Sequence, residues 1–143
     1  MARQVKGWLI AYLIGVFDGE GYINIHPVKP KGYLSYQVKA AVGMTSEYLP
    51  RLFQATYGGR VYFEPKTGNE KDEWRWILRT QQAKPLLEDI VKYGILKKPQ
   101  AEVALHLLSL QHGGVKGKSV SDEEKVLREV DCILMHKLNK RGR

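Results

Sequence analysis

The period of the apolar positions changes several times along this chain, and each change marks an element. Residues 7–18 are apolar on nearly every side of a helical wheel, which predicts a helix covered by protein all round. In so small a domain a second subunit is the expected cover. Gly19 and Gly21 are expected to end that helix. Tyr22 to Val28 then alternates, with Ile23 and Ile25 on one face and Asn24 and His26 on the other, as a strand does. A second strand sets Tyr36, Val38, Ala40 and Val42 against Ser35, Gln37, Lys39 and Ala41, and a third sets Val61 and Phe63 against Arg60, Tyr62 and Glu64. The fourth is the clearest: Trp74, Trp76 and Leu78 share one face, and Arg75, Ile77 and Arg79 the opposite one.

Helical signals lie between and after the strands. Ser46 is placed to cap a helix through Tyr57, with Pro50 tolerated only in its first turn, and Gly58 and Gly59 stop it. Thr80 is expected to cap a helix running to Tyr93, with Pro85 near its start, and a further helix begins near Pro99. Ser121 with Glu124 three residues on forms a capping box for a last helix, whose Val126, Leu127, Val130, Ile133 and Leu134 are expected to pack on the body. The predicted order is helix, two strands, helix, two strands, helices. This is an α+β domain with helices on one face of a four-stranded antiparallel sheet. Residues 1–111 form the expected core, 112–120 a Gly-rich charged linker, and 121–143 a C-terminal helix with a basic tail.

Composition narrows the partners. With 143 residues the chain is one domain long and needs no disulfide to bury a core. Lys and Arg number 23 against 15 Asp and Glu, a net charge of +8 that favours an anionic partner such as nucleic acid or acidic lipid. Cys132 is the single cysteine, which excludes an intrachain disulfide and a cysteine-based zinc site and suits an intracellular, reducing location. The apolar run from Trp8 to Phe17 is about half the ~20 residues a membrane span needs, so no membrane partner is expected. The four histidines, the three tryptophans and Cys132 read as structural.

If helices cover the apolar sheet face, the other face shows Asn24, His26, Ser35, Gln37, Lys39, Arg60, Tyr62, Glu64, Arg75, Ile77 and Arg79. Arg offers two donors to guanine, and Asn and Gln offer a donor and an acceptor to adenine, so this face has the groups that read a major groove. Lys29, Lys31, Lys66 and Lys71 fall in loops at the strand ends, where phosphates would lie. An ordinary solvated face alternates in the same way. The wealth of Arg and amides, with Tyr62 and Ile77 among them, favours recognition. The tail from Lys137 to Arg143 suits either a backbone contact or a frayed basic end.

Asp18 and Glu20 stand two apart among glycines at a helix end, in a chain otherwise rich in base. Phosphate repels carboxylates unless a divalent ion intervenes, and Mg²⁺ typically takes one or two carboxylates plus phosphate oxygens. Spacing alone favours plain helix-stop chemistry with a solvated Glu20.

The full run Leu13-Ile14-Gly15-Val16-Phe17-Asp18-Gly19-Glu20-Gly21 closely resembles the nine-residue motif of the LAGLIDADG homing endonucleases. Ile14 and Gly19 stand where the family name has Ala, and Glu20 where it has Asp. The order of elements is similar to the family's core through about Leu110. The resemblance implies that Asp18 serves structure, while Glu20 and the Gly19 carbonyl hold a metal ion, Mg²⁺ with Mn²⁺ as a substitute. It implies a basic residue near the scissile phosphate, Lys97 or Lys98, of which Lys97 fits better, and a water-ordering polar group near Thr45 or Ser46. One motif per chain implies a homodimer with the motif helices packed together, burying Leu9, Tyr12, Leu13 and Val16, with Gly15 allowing close approach. The implied activity is hydrolysis of one phosphodiester on each strand of a long pseudo-palindromic double-stranded DNA target, without a small-molecule cofactor. Relatives of this type that bind without cutting, as intron RNA maturases or DNA-binding regulators, are the alternative.

Overall fold

The four alternating segments pair into one sheet of order β1-β2-β4-β3, antiparallel throughout. The computed structural model describes residues 7–29, 32, 34–111 and 121–141. Its elements are α1 (Gly7–Glu20), β1 (Gly21–Val28), β2 (Ser35–Met44), α2 (Tyr48–Tyr57), β3 (Arg60–Glu64), β4 (Glu73–Arg79), a 3-10 turn (Thr80–Ala83), α3 (Lys84–Tyr93), α4 (Lys98–Leu110) and α5 (Asp122–Arg141). The expected α+β class is the observed one. The linker at 112–120 lies outside the described residues, as does the end of the tail.

The strand periodicity decides which face is covered. Ile23, Ile25, Val38, Ala40, Val42, Trp76 and Leu78 are wholly buried against Leu13, Ile14 and Phe17 of α1, Phe53 of α2, Leu86, Leu87 and Ile90 of α3, and Ala101, Ala104 and Leu107 of α4. Three rings form the centre. Trp76 stacks on Phe53 at 4.7 Å between centroids, Phe17 meets Phe53 edge-on at 6.4 Å, and the indole N–H donates to Gly58 O at 2.7 Å. Phe63, expected in this core, is half exposed because β3 is an edge strand, and it packs on the ring of Trp74.

Two expected helix starts differ. α2 takes Glu47, not Ser46, as its N-cap residue, although Pro50 does lie in its first turn. Thr80 caps nothing: it has φ of 50°, and its hydroxyl donates to Arg79 O at 2.8 Å. The segment therefore passes through a 3-10 turn before α3 begins with Pro85 in its opening turn.

α5 packs on α4 and on the free edge of β1, but not by the expected stripe. Asp131, Cys132 and Met135 are buried, whereas Val126, Leu127, Val130, Ile133 and Leu134 stay exposed. Hydrogen bonds select this face. His136 Nε2–H and the Cys132 thiol donate to Ile25 O at 2.9 and 3.5 Å, and Asn139 Nδ2 donates to Ile23 O at 2.9 Å. These are the carbonyls that β1 turns away from β2, so side chains of a helix take the place of a further strand. His106 with Asp131 at 2.6 Å, and Arg128 Nη2 with Leu110 O at 3.0 Å, fasten α5 to α4.

α1 runs two residues beyond its expected end, through Gly19, and makes Glu20 its last residue. The chain then reverses into β1 at Gly21, where a Cβ would stand 2.6 Å from the Phe17 ring. The same helix end is joined to the start of α4 from both sides. Asp18 Oδ2 accepts from the backbone N–H of Ile95 at 2.7 Å and of Leu96 at 3.1 Å, and its Oδ1 accepts from that of Lys97 at 3.1 Å. In return Lys97 Nζ donates to Asp18 O at 3.0 Å. A carboxylate thus fixes the turn that leads into α4, and an ammonium meets a carbonyl of the last turn of α1, where the helix dipole is negative.

Asp18→Asn turns an amide N–H toward backbone donors, and the expected loss of stability is about 1.5–3 kcal/mol, read as a lower urea midpoint at unchanged slope. Lys97→Met added to it should cost less than the sum of the two single losses; strict additivity would show that the two bonds do not form one unit.

Candidate active site and sheet face

The two acids of the motif have different surroundings. Both oxygens of Asp18 are taken by backbone N–H groups, so it is spoken for. Glu20 is exposed and makes no hydrogen bond or ion pair with any described residue. It sits at the carboxyl end of α1, where the last helical carbonyls lack helical partners and the dipole is negative. A free carboxylate beside such carbonyls is the chemistry that takes a hard divalent cation. One chain supplies little more: among the described residues no group of three or more His, Cys, Asp or Glu is arranged to hold a metal ion.

The lysine pair is also divided. Lys97 is half buried and directed at the end of α1 by its bond to Asp18 O, whereas Lys98 is exposed as the first residue of α4. Beside Lys97 opens a cleft of about 670 Å3 lined by Tyr22, Asn24, Gln100, His136, Asn139 and Lys140 among others. Gln100 Oε1 and Asn24 Oδ1 are buried in that neighbourhood without a hydrogen-bond partner among the described residues. The sequence reading assigned Gln100 no part, since nothing in spacing tells a buried helical amide from a solvated one. Ser46, one of the two polar groups considered near residue 45, accepts from Tyr48 N at 3.2 Å at the start of α2.

α1 is not covered all round. Trp8 is 67% exposed and Tyr12 51%, and with Gly15 and Gly19 they form one open stripe that leads to Glu20. Leu9 and Val16 are half buried at its margins. Leu13, expected on the same stripe, is instead wholly buried in its own chain, because it lies on the side of α1 turned to the sheet. Next to the stripe, on the turn that Asp18 holds, Ile95 is 80% exposed and Leu96 66%.

The uncovered sheet face carries the expected polar residues in register. Asn24 stands beside Lys39 and Lys39 beside Arg79; His26 stands beside Gln37, Arg75 beside Tyr62, and Ile77 beside Arg60. Ser35 pairs with Val28 at the far end. Many of these groups are bonded to one another. Gln37 Oε1 accepts from His26 Nε2 at 3.0 Å and from Arg79 Nη1 at 3.4 Å, which orients its amide with the N–H groups outward. Lys39 Nζ lies 5.7 Å from the Tyr22 ring centroid.

Near the Glu20 end of the sheet, Arg75 is held by Glu73 and Glu64. Lys66, expected as a loop phosphate contact, donates to Glu64 Oε2 at 3.2 Å. That bond, with the Arg75 charge beside it, holds the Glu64 carboxyl below the usual carboxylate range. Ile77, expected as a contact residue, is 9% exposed and forms the floor of the face with Ala41 under longer neighbours. Lys29 is exposed, and Lys31 lies outside the described residues. Glu73 escaped the sequence reading, although its alternation with Arg75 on one strand face was the signal.

No family model and no curated protein matches the chain. Solved structures do. The homing endonuclease I-CvuI, in complex with its target in the presence of calcium, superposes with a TM-score of 0.68 at 21% identity over 93% of this chain and 91% of that one. The homing endonuclease I-TnaI gives 0.67 at 14% identity, over 94% and 97%. The LAGLIDADG homing endonuclease I-GzeII, in complex with its DNA target, gives 0.64 at 16% identity over 88% of this chain but 43% of that one. The likeness at end-to-end coverage, on the same order of helices and strands, shows that this chain has the fold of the LAGLIDADG homing endonucleases.

Proposed function

We propose that this chain is a single-motif LAGLIDADG homing endonuclease, acting as a homodimer that cuts both strands of a long pseudo-palindromic DNA target with the aid of a divalent metal ion. The observation that carries the reading is the division of labour at the end of α1. One acid of the motif is consumed in holding two helices together, and the other is left free at the edge of a polar, Arg-bearing sheet face.

In this reading Glu20 and the Gly19 carbonyl hold the cation, Mg²⁺ by preference and Mn²⁺ in its place, which activates an attacking water and stabilises the leaving oxygen when bound. The chain's own part is placement. The bonds of Asp18 fix the end of α1 against the turn before α4, and the bond to Asp18 O keeps the Lys97 ammonium at the same corner, where it stabilises charge on the phosphate being cut. Lys98, on the exposed side, contributes charge to the DNA surface. The open stripe of α1 packs on the same stripe of a second copy, which brings two Glu20 side chains together, and isologous symmetry makes each sheet read one half-site. Support for the pairing comes from the exposure of Trp8, Tyr12 and Gly15 on a helix whose other sides are buried.

Three measurements check this. With Mg²⁺ and a library of long candidate sites, wild type should cleave and Glu20→Gln should lose cleavage by about 10²-fold or more while still shifting the same DNA; equal cleavage by both removes Glu20 from catalysis, and tight binding without cleavage by wild type favours a maturase or regulator. Gly15 has nothing within 4 Å of a built Cβ, so Gly15→Leu should leave the chain folded yet move sedimentation from dimer to monomer. A dimer that persists unchanged would place the interface elsewhere. Arg79→Ala should relax base preference at one position per half-site by roughly 1–3 kcal/mol, whereas Lys29→Ala should weaken all sequences alike and lower the salt dependence of binding.

A further inference from the structure

The two arginines that β4 places on the open sheet face differ in what they leave for a partner. A guanidinium meets an acceptor pair such as guanine N7 and O6 through one of two edges: the side edge, Nε with Nη2, or the end edge, Nη1 with Nη2. Nη2 belongs to both. In Arg79 the side edge is open among the described residues, because the bond to Gln37 Oε1, at 3.4 Å, runs from Nη1. In Arg75 it is closed. Nε and Nη2 both donate to one oxygen of Glu73, Oε1, at 3.2 and 2.8 Å. Glu64 Oε2 lies 3.5 Å from the same Nη2 and draws it away from the end edge as well. Nη1 is left, and its two N–H groups diverge, so Arg75 keeps single contacts to offer and no two-point edge.

Two further residues keep the carboxylates in place. Arg75 pairs directly with Gly43 across β4 and β2, and a Cβ at residue 43 would stand 2.6 Å from Glu73 Oε1 and 2.9 Å from its carboxyl carbon. Glu73 therefore lies over β2 in room that exists because residue 43 has no side chain. On the β3 side, Lys66 Nζ holds Glu64 Oε2 at 3.2 Å. The side chains of Arg75 and Glu73 are 30% and 28% exposed, so water screens their pairing less than it screens ion pairs on an open surface. Two acids and two bases thus satisfy one another. Pulling Arg75 out of the group toward a base would leave both carboxylates unpaired beside phosphates and acceptor edges, a like-charge arrangement that opposes the exchange.

Resting on the reading that this face lies on DNA, we propose that Glu73 is a specificity residue that acts by subtraction: it closes Arg75 to guanine. The base pair facing residue 75 then carries no guanine preference, while Arg79 on the same strand keeps an open edge. Gly43 seats the lock, and Glu64 completes it.

The test selects bound duplexes from a randomised library and sequences them for wild type, Arg75→Ala, Glu73→Ala, Gly43→Ala and the double variant Glu73→Ala/Arg75→Ala, each checked for an unchanged melting curve. Wild type and Arg75→Ala should share the same base preferences at every position, even where affinity falls. Glu73→Ala should gain guanine by about 10-fold at one symmetric pair of positions. Gly43→Ala, which displaces the carboxylate without removing it, should gain guanine at the same pair to a lesser degree, and the double variant should show no gain. If wild type already prefers guanine at a pair of positions and Arg75→Ala abolishes that preference, DNA displaces Glu73 and the lock is refuted. It is refuted equally, with the DNA-reading face left standing, if wild type selects a defined site and neither Glu73→Ala nor Gly43→Ala gains guanine, or if the gain survives in the double variant. If wild type selects no sequence at all, readout by this face falls, and the lock falls with it.

Discussion

The exchange of bonds between the end of α1 and the turn before α4 is the interaction on which the rest of this molecule depends. A helix end and a turn each leave polar groups to water, and here the two, far apart in sequence, satisfy each other through one acid and one base. The arrangement sets the angle between the helix that presents an open stripe and the helix that carries the lysine pair. It also occupies both carboxylate oxygens of Asp18. Two carboxylates at one helix end would repel each other, and engaging one with three N–H groups leaves Glu20 as the acid of the pair without a hydrogen-bond or ion-pair partner among the described residues.

A second constraint acts at the β1 edge of the sheet. A four-stranded antiparallel sheet has two edges, and one of them borders the face that carries Asn24 and His26. α5 closes this edge with side chains, so β1 keeps its register without a neighbour, and the face beside it stays clear of helices. The sheet can then be dry on one side and a bonded lattice of Gln37, Arg79, Arg75, Glu73 and Glu64 on the other. Groups held in this way lose little freedom when a partner arrives, and preorganisation of that kind shows in discrimination more than in raw affinity.

Much of this was legible in the sequence because it rests on period. The alternation of Ile23 and Ile25, of Val38, Ala40 and Val42, and of Trp76 and Leu78 fixed strands, faces and the covered side, and the glycine-bounded acid pair marked the helix end. What the period could not carry was choice among equivalent apolar or polar sides. α5 offers an apolar stripe and a mixed one, and the hydrogen-bonding demand of a distant strand edge selected the mixed one. Leu13 and Tyr12 look alike as apolar helix residues, yet one is core and the other surface, and only the direction of the sheet decides. The lysine pair shows the same limit: adjacent residues on a turn point apart, and the bond to Asp18 O, remote in sequence, distinguishes them. Glu73 was a different case, since its alternation with Arg75 on one strand face was readable and was passed over.

The closing of β1 by α5 has a further consequence for how the molecule comes into being. β1 and β2 pair locally and early in the chain, but the groups that satisfy Ile23 O and Ile25 O are Cys132, His136 and Asn139, near its other end. During synthesis the hairpin therefore emerges with an unguarded edge, and it stays open to pairing with a neighbouring nascent chain until α5, more than 100 residues on, has been made and docks. The first pairing of the sheet is guarded by one of the last helices of the fold.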